Sequence, residues 1–424
     1  MRLVFVALAL VASAAAGSSP ESLSAEQALG RMLYLDVNLS LERNQSCNSC
    51  HAIEPVEGRV AGFVDPANVR DASATSTGSP PGTVGGLNAP SVGYARFTPP
   101  FHWDGVEGLY VGGLFWNGRA TSLAEQAKGP PLNPLEMAMP SKWAVVSRLK
   151  QNPFYVERFA ALYGVRLDAI EANETAPAEA PAPPGVDEAY DAMADAIAAF
   201  EKSRFFNRFT SKFDYVLAGR TKLTAEEQRG LEVFRGDKAM CAECHPVEPL
   251  QAPDGRQLPP LFTDFTYDNI GLPRNRKIPG DPAPNQGLGG RPEIAAIDPA
   301  GAQLGKHKVM GLRNIALTPP YMHNGSLATL EAVVHFYNTR DAKQGVCEDN
   351  RDPGFGKDCW PAPEVARNVN TDELGDLGLD AAEEAAIVAF MRTLTDGYPE
   401  WGDDPEVPPG TPSPFADTAL PPAP

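Results

Sequence analysis

The apolar positions of the chain fall into short helical repeats separated by long stretches with no period. Ser24 to Tyr34 begins with a Ser N-cap and an amide, Gln27, three residues on, then continues as a short amphipathic helix. Thr224 to Phe234 repeats the pattern, with Thr224 as the cap and Glu227 in the third position. Ala189 to Phe205 carries Met193, Ile197, Phe200 and Phe205 at helical spacing. Leu379 to Leu394 does the same through Ala386, Ile387, Phe390, Met391 and Leu394, with Asp380, Glu383 and Glu384 in its early turns, where the helix dipole favours acids. The 38 Gly and 42 Pro cluster between these helices, so strands should be few and short. The Ala/Pro/Glu-rich stretch 171–185 reads as a flexible surface insertion. The Pro-rich stretch 403–424 reads as an extended or disordered end.

Each leading helix runs into the same short motif. Cys47-Asn48-Ser49-Cys50-His51 and Cys241-Ala242-Glu243-Cys244-His245 are two copies of C-x-x-C-H. Such a pair of thiols can add to the two vinyl groups of a haem, and the next imidazole can bind its iron. A zinc or thioredoxin-like reading is weaker, because no further Cys or His flanks either copy. A helix, a haem motif, loops and a closing helix is the layout of a cytochrome c domain, and it occurs twice. The expected fold is therefore mainly α: two cytochrome c-like domains, 18–215 and 216–400, each wrapping one covalent haem c, followed by a tail at 401–424.

The N-terminus fits that reading. Arg2, the apolar run Leu3 to Ala12 and the small residues Ser13 to Gly17 read as a secretory signal over 1–17. Export to the periplasm agrees with covalent haem, which is attached outside the bacterial cytoplasm. No later stretch is apolar for long enough to span a membrane. The two remaining cysteines, Cys347 and Cys359, can close a short disulfide loop in an oxidising compartment. The formal net charge of −18 excludes nucleic acid as a partner and permits a protein with a basic docking patch.

His51 and His245 supply one axial ligand each, and the second ligand on each iron decides the chemistry. His102, His307, His323 and His335 are the other histidines, and none is marked out by its surroundings. Two longer stretches, Leu114 to Met137 (LFWNGRATSLAEQAKGPPLNPLEM) and Val309 to Asn338 (VMGLRNIALTPPYMHNGSLATLEAVVHFYN), add to the paired haem motifs. Together they resemble the bacterial dihaem cytochrome c peroxidase/MauG superfamily, over about Ser24 to Leu394.

The resemblance implies a peroxide-reactive N-terminal haem whose open face holds Glu136 and Pro130, with Gln126 nearby. Many simple peroxidases place a ligating histidine soon after the first motif, but 52–101 contains none. Glu136 would then shuttle the peroxide proton. The resemblance also places Tyr337 where MauG-like members have a tyrosine ligand on the second haem and ordinary peroxidases a methionine; Met310 and Met322 lie nearby but off that position. Trp116 matches a tryptophan that carries charge between the haems. His323 matches a histidine that supports the second haem by hydrogen bonding. A Ca2+ is implied between the domains, held by the Asn88 side chain and the carbonyls of Thr318 and Pro320. Trp103 has no family match and could be core or a surface exit point.

The expected function is that of a MauG-like periplasmic enzyme. It would use H2O2 to form a high-valent dihaem state that oxidises a residue, tryptophan by analogy, of a partner protein through long-range electron transfer. The alternative is a cytochrome c peroxidase that reduces H2O2 with electrons from a small cytochrome c or cupredoxin. A dihaem electron carrier comes third, since it would want two strong ligands on both irons.

Overall fold

A computed structural model describes residues 23–55, 60–251 and 257–416. The expected signal segment 1–17 and the last residues of the tail, 417–424, lie outside the described residues. Seven helices position the site: α1 (Ala25–Tyr34), α2 (Leu123–Ala127), α3 (Lys142–Leu149), α4 (Val186–Glu201), α5 (Ala225–Arg235), α6 (Leu330–Thr339) and α7 (Ala381–Arg392). The capping boxes read from Ser24–Gln27 and Thr224–Glu227 form, and Asp380 with Glu383 makes a third at the start of α7.

The expected bounds shift: α4 starts three residues earlier, at Val186, and both α4 and α7 end short. The run 189–205 is helical only to Glu201, where Asn207 Nδ2 takes the carbonyls of Glu201 and Ser203 and turns the chain. The run 379–394 starts only after Asp380, because that side chain is the cap rather than part of the first turn.

The duplication is visible in the packing. In α1, Gly30 lies so close to α4 that a Cβ would collide with the carbonyl of Ala196 and crowd Phe200. In α5, Gly230 lies against Ala386 and Phe390 of α7 in the same way. Two helices can cross this closely only where one offers no side chain. Two apolar cores follow, one around α1, α3 and α4, the other around α5, α6 and α7. Phe213 already belongs to the second core while Phe206 belongs to the first, so the core changes hands a few residues before 215.

Strands are few, as expected. Antiparallel pairs join β1 (His102–Asp104) to β2 (Leu109–Val111), β3 (Leu250–Gln251) to β4 (Gln257–Leu258), and β5 (Tyr267–Asp268) to β6 (His307–Lys308). Among the described residues no helix is long and apolar enough to cross a membrane.

A buried polar knot ties the halves together. Arg313 forks onto Asp214 at 2.9 and 3.0 Å, with both side chains almost fully excluded from solvent. Beside it, Tyr94 and Asn314 both donate to Asp396 Oδ2 at 2.8 Å. Every charge there has a partner, which a buried ion pair needs if it is not to destabilise the fold.

Two stretches expected to be loose are tied down. Within 171–185, Ala176 is fully buried and Glu174 pairs with Arg43 at 2.8 Å and Arg148 at 3.3 Å. Within the tail, Val407 is buried, Thr411 accepts from Tyr215 Oη at 3.0 Å, and Ser413 Oγ donates to the Phe209 carbonyl at 2.6 Å. The described part of the tail is extended but docked. Cys347 and Cys359 form a disulfide, with a Cα–Cα distance of 5.5 Å.

Candidate haem sites

Each C-x-x-C-H motif forms a single helical turn, closed by the histidine amide donating to the first cysteine's carbonyl at 2.9 Å. This turn puts both thiols and the imidazole on one side. His51 Nδ1 pairs with the Phe63 carbonyl at 3.3 Å, and His245 Nδ1 with the Phe262 carbonyl at 2.8 Å. The bond fixes each ring and leaves Nε2 for a metal, the usual arrangement of a ligating histidine. Burial pushes both imidazoles toward the neutral form, which is the ligating one.

His51, Cys47 and Cys50 line a cavity of about 400 Å³. Its wall also carries Gln126 of α2, then Pro130, Asn133 and Glu136. Glu136 sits in a turn rather than at a helix N-terminus, so helix capping does not account for it. Burial raises its carboxyl above the usual range; Arg119 nearby and a 2.7 Å hydrogen bond from Asn133 Nδ2 partly offset this. Arg119 in turn stacks on the Phe115 ring at 3.4 Å. His51 is the one histidine on this cavity's wall.

His245, Cys241 and Cys244 line a second cavity of about 210 Å³. Tyr337 on α6 faces it, as do Met310, Met322, Met240 and Met391. Burial raises the Tyr337 phenol strongly, so nothing in the chain itself ionises it. His323 and His307 line the same space, stacked at 3.6 Å with their planes 4° apart. His323 Nε2 meets Glu364 at 2.9 Å, and His307 Nε2 meets Asn285 at 2.9 Å. Both rings are thus engaged by hydrogen bonds to neighbouring side chains. His335 instead pairs with Glu384 at 3.0 Å, and His102 is exposed; neither lines a cavity.

Trp116 lines both cavities, edge-on to His323 at 6.3 Å. Its Nε1 donates to the Asn88 carbonyl at 2.8 Å. Asn88, Thr318 and Pro320 line the first cavity on the side toward Trp116. Asn88 Nδ2 is used by the Ala74 carbonyl at 3.0 Å, which leaves its Oδ1 for a hard cation. Among the described residues, the only Cys/His/Asp/Glu cluster tight enough for a metal is Cys347, Asp352 and Cys359, and its thiols are spent in the disulfide.

Comparison with known proteins places this arrangement. The MauG methylamine utilization protein of Paracoccus denitrificans is 39% identical over 406 residues, covering 93% of this chain and 96% of that protein. The chain belongs to the dihaem cytochrome c peroxidase and MauG family. The family model for the di-haem cytochrome c peroxidases matches residues 24–222. The cytochrome c peroxidase Ccp of Escherichia coli is 32% identical over 72% of this chain, though the match spans 51% of that protein. The crystal structure of the diheme peroxidase BthA from Burkholderia thailandensis superposes with a TM-score of 0.70 at 30% identity, covering 88% of this chain and 86% of that one.

Membership in a dihaem family implies two haem cofactors and makes the chain a haem-dependent, peroxide-linked oxidoreductase. The residues fit: each cavity offers two thiols and a neutral, pre-oriented imidazole. Sequence reasoning missed several side chains around them. Arg119 and Asn133 were inside the quoted Leu114–Met137 stretch, but their role depends on where the loop folds. Glu201 had no signal at all. It ends α4, is 4% exposed, faces the first cavity, and leaves Oε2 without a hydrogen bond. Met391 faces the second cavity from the matching position of α7, one residue after Phe390 as Glu201 follows Phe200. Lys308 lines both cavities, donates to the Gly113 carbonyl at 2.7 Å, and is pulled down to about 7 by burial.

Proposed function

We propose that the chain is a MauG-like enzyme of the periplasm, using H2O2 to oxidise a residue, best read as tryptophan, on a partner protein. The supporting observation is the asymmetry of the cavities. The cavity that holds His51 is also lined by a buried carboxyl, Glu136, and its polar support; the cavity that holds His245 is lined by a buried phenol, Tyr337. Haem bound covalently through Cys47 and Cys50 would supply the reduction of peroxide, and haem on Cys241 and Cys244 a second redox centre.

The chain's own residues do the rest. Glu136, held by Asn133 Nδ2, takes a proton from one peroxide oxygen and returns it to the other. Arg119 lies close enough to favour its charged form. Pro130 and Gln126 shape the same face and limit water. Tyr337 would offer its phenol oxygen to a haem held on Cys241 and Cys244, and a phenolate donor stabilises a higher oxidation state better than a thioether does. Trp116, against both cavities, is placed to pass charge between them. A Ca2+ on Asn88, Thr318 and Pro320 would brace the loop that Trp116 bonds to.

The experiment is to add H2O2 to the diferric protein. The reading expects one high-spin and one low-spin ferric haem, and a new near-infrared band on adding peroxide. A protein inert until one haem is reduced would instead be a cytochrome c peroxidase taking electrons from a small redox protein, a reading that likeness to Ccp also supports. Mass analysis of co-purifying proteins after peroxide would identify the substrate.

A further inference from the structure

Trp103 is 52% exposed, while the other four tryptophans are buried or half-buried. It lies on β1, directly across the ladder from Tyr110 on β2, and the two rings meet edge to face at 4.8 Å. The hairpin tip beyond it is open, with Val106 92% exposed between Asp104 and Glu107. Large apolar side chains in such a position are costly to leave in water and commonly mark contact surfaces.

What sets this hairpin apart is what lies beneath it. Tyr110 stacks face to face on Phe101 at 5.2 Å and 6°, and Phe101 meets Tyr267 edge-on at 6.0 Å. Tyr267 is buried on β5, its hydroxyl donating to the Gly112 carbonyl. That hydroxyl fills the space beneath Gly118, where any Cβ would overlap it. Gly118 is two residues from Trp116. On the other side Tyr267 pairs with Lys308 of β6, whose amide donates to the Trp116 carbonyl at 2.9 Å. Arg291 closes the same path, its guanidinium 4.1 Å over Phe101 and its Nη1 on the Asn117 carbonyl at 3.2 Å.

We infer that Trp103 is the surface site through which electrons enter from the partner, along the aromatic file Trp103, Tyr110, Phe101 and Tyr267 and then through the Lys308 backbone hydrogen bond to Trp116. This rests on the proposed function above and adds the place where that reaction leaves the protein. Electron transfer through protein slows steeply with distance, so a long route works best in short steps between easily oxidised rings. Trp103 is exposed and Tyr110 half-buried beneath it, and both can release a proton on oxidation; Phe101 is too hard to oxidise and acts as a packed spacer. In each step the Trp103 indole gives one electron inward, reducing the oxidised centre by one equivalent, and loses its Nε1 proton to water. An electron and a proton from the partner's side chain restore it. Two such steps balance one H2O2 reduced to two waters. Glu107 and Asp104 flank the tip, so the fitting partner presents an oxidisable side chain ringed by Lys or Arg.

A hairpin needing only a cross-strand aromatic pair would also show the Trp103–Tyr110 contact. The test therefore reads the route. Dihaem-loaded protein is treated with H2O2 without reductant, its haem spectrum is followed, and tryptic peptides are analysed for oxygen added to Trp103. The expected result is oxidised Trp103 in the wild type and several-fold less in Tyr110→Leu and Tyr267→Phe, at unchanged peroxide consumption. Glu136→Gln separates the route from direct attack by peroxide on an exposed ring: routed oxidation disappears there. Trp103 left intact while the haems consume peroxide overturns the portal and leaves the functional reading standing. Trp103 oxidation equal in all four proteins also overturns it.

Discussion

The indole Nε1 of Trp116 donates to the carbonyl of Asn88 at 2.8 Å. One residue thus supplies both an anchor for the relay ring and, through its side chain, a candidate ligand for Ca2+. Chelating the ion should therefore disturb both haems at once, since Trp116 lines both cavities. Asn88→Ala should reproduce the change without chelator. A chelator that alters neither haem spectrum would break this link.

Glu136→Gln should lower the rate of the peroxide reaction by about 10²–10⁴-fold, the usual worth of a positioned proton carrier. Haem content should not change. Burial raises this carboxyl above its ordinary range, and the carboxylate is the form that accepts the first proton. The wild-type rate should therefore rise with pH through that elevated value, and the glutamine variant should lose this limb. Stopped-flow rates against pH test both points.

Tyr337→Phe should change the spectrum of the second haem alone. Nothing in the chain ionises this phenol, so an anionic ligand exists only when iron displaces its proton. The spectral change should also appear in resonance Raman as loss of phenolate modes. An unchanged second haem would remove Tyr337 as a ligand and turn attention to Met322 or Met391.

Gly30→Ala places a methyl group against the Ala196 carbonyl, and Gly230→Ala does the same against Ala386. Overpacking of this kind costs about 1–3 kcal/mol. Each variant should lower the melting temperature of the half that carries it. Differential scanning calorimetry would reveal an unaffected protein if the helices can simply slide apart.

Burial pushes Glu201 up to about 8, and its Oε2 has no partner. The folded state then holds a proton that the unfolded chain releases near the ordinary value of 4.5. The stability this group contributes is complete below that value and is lost as pH rises toward about 8. Each unit of such a slope is worth about 1.4 kcal/mol. Glu201→Gln should flatten the decline in denaturation experiments between those limits.

Much of this was legible in the sequence because it rests on local rules. The capping boxes, the helical turn of C-x-x-C-H and the scarcity of strands depend on residues a few positions apart. Tyr337, Trp116 and Glu136 were singled out through long matching stretches, and each lies on a cavity wall. What stayed hidden depends on the crossing of distant segments. Glu201 and Met391 reach their cavities only because α1 and α5 cross α4 and α7 closely at a glycine. His307 meets His323 only after β6 is laid beside β5. The docking of the tail on Tyr215 and Phe209 likewise has no signal within the tail itself.

The first cavity is walled partly by the other half of the chain: Leu261, Phe265, Met310 and Tyr321 all face it. The second cavity takes only Trp116 from the first half. The two sites must therefore mature unequally. A separately produced C-terminal half would retain an almost complete pocket for its haem. An N-terminal half would display its haem through an unfinished wall, open to solvent and to stray oxidation. On the proposed reading, the peroxide-reacting cavity therefore stays incomplete until the second half of the chain has folded against it.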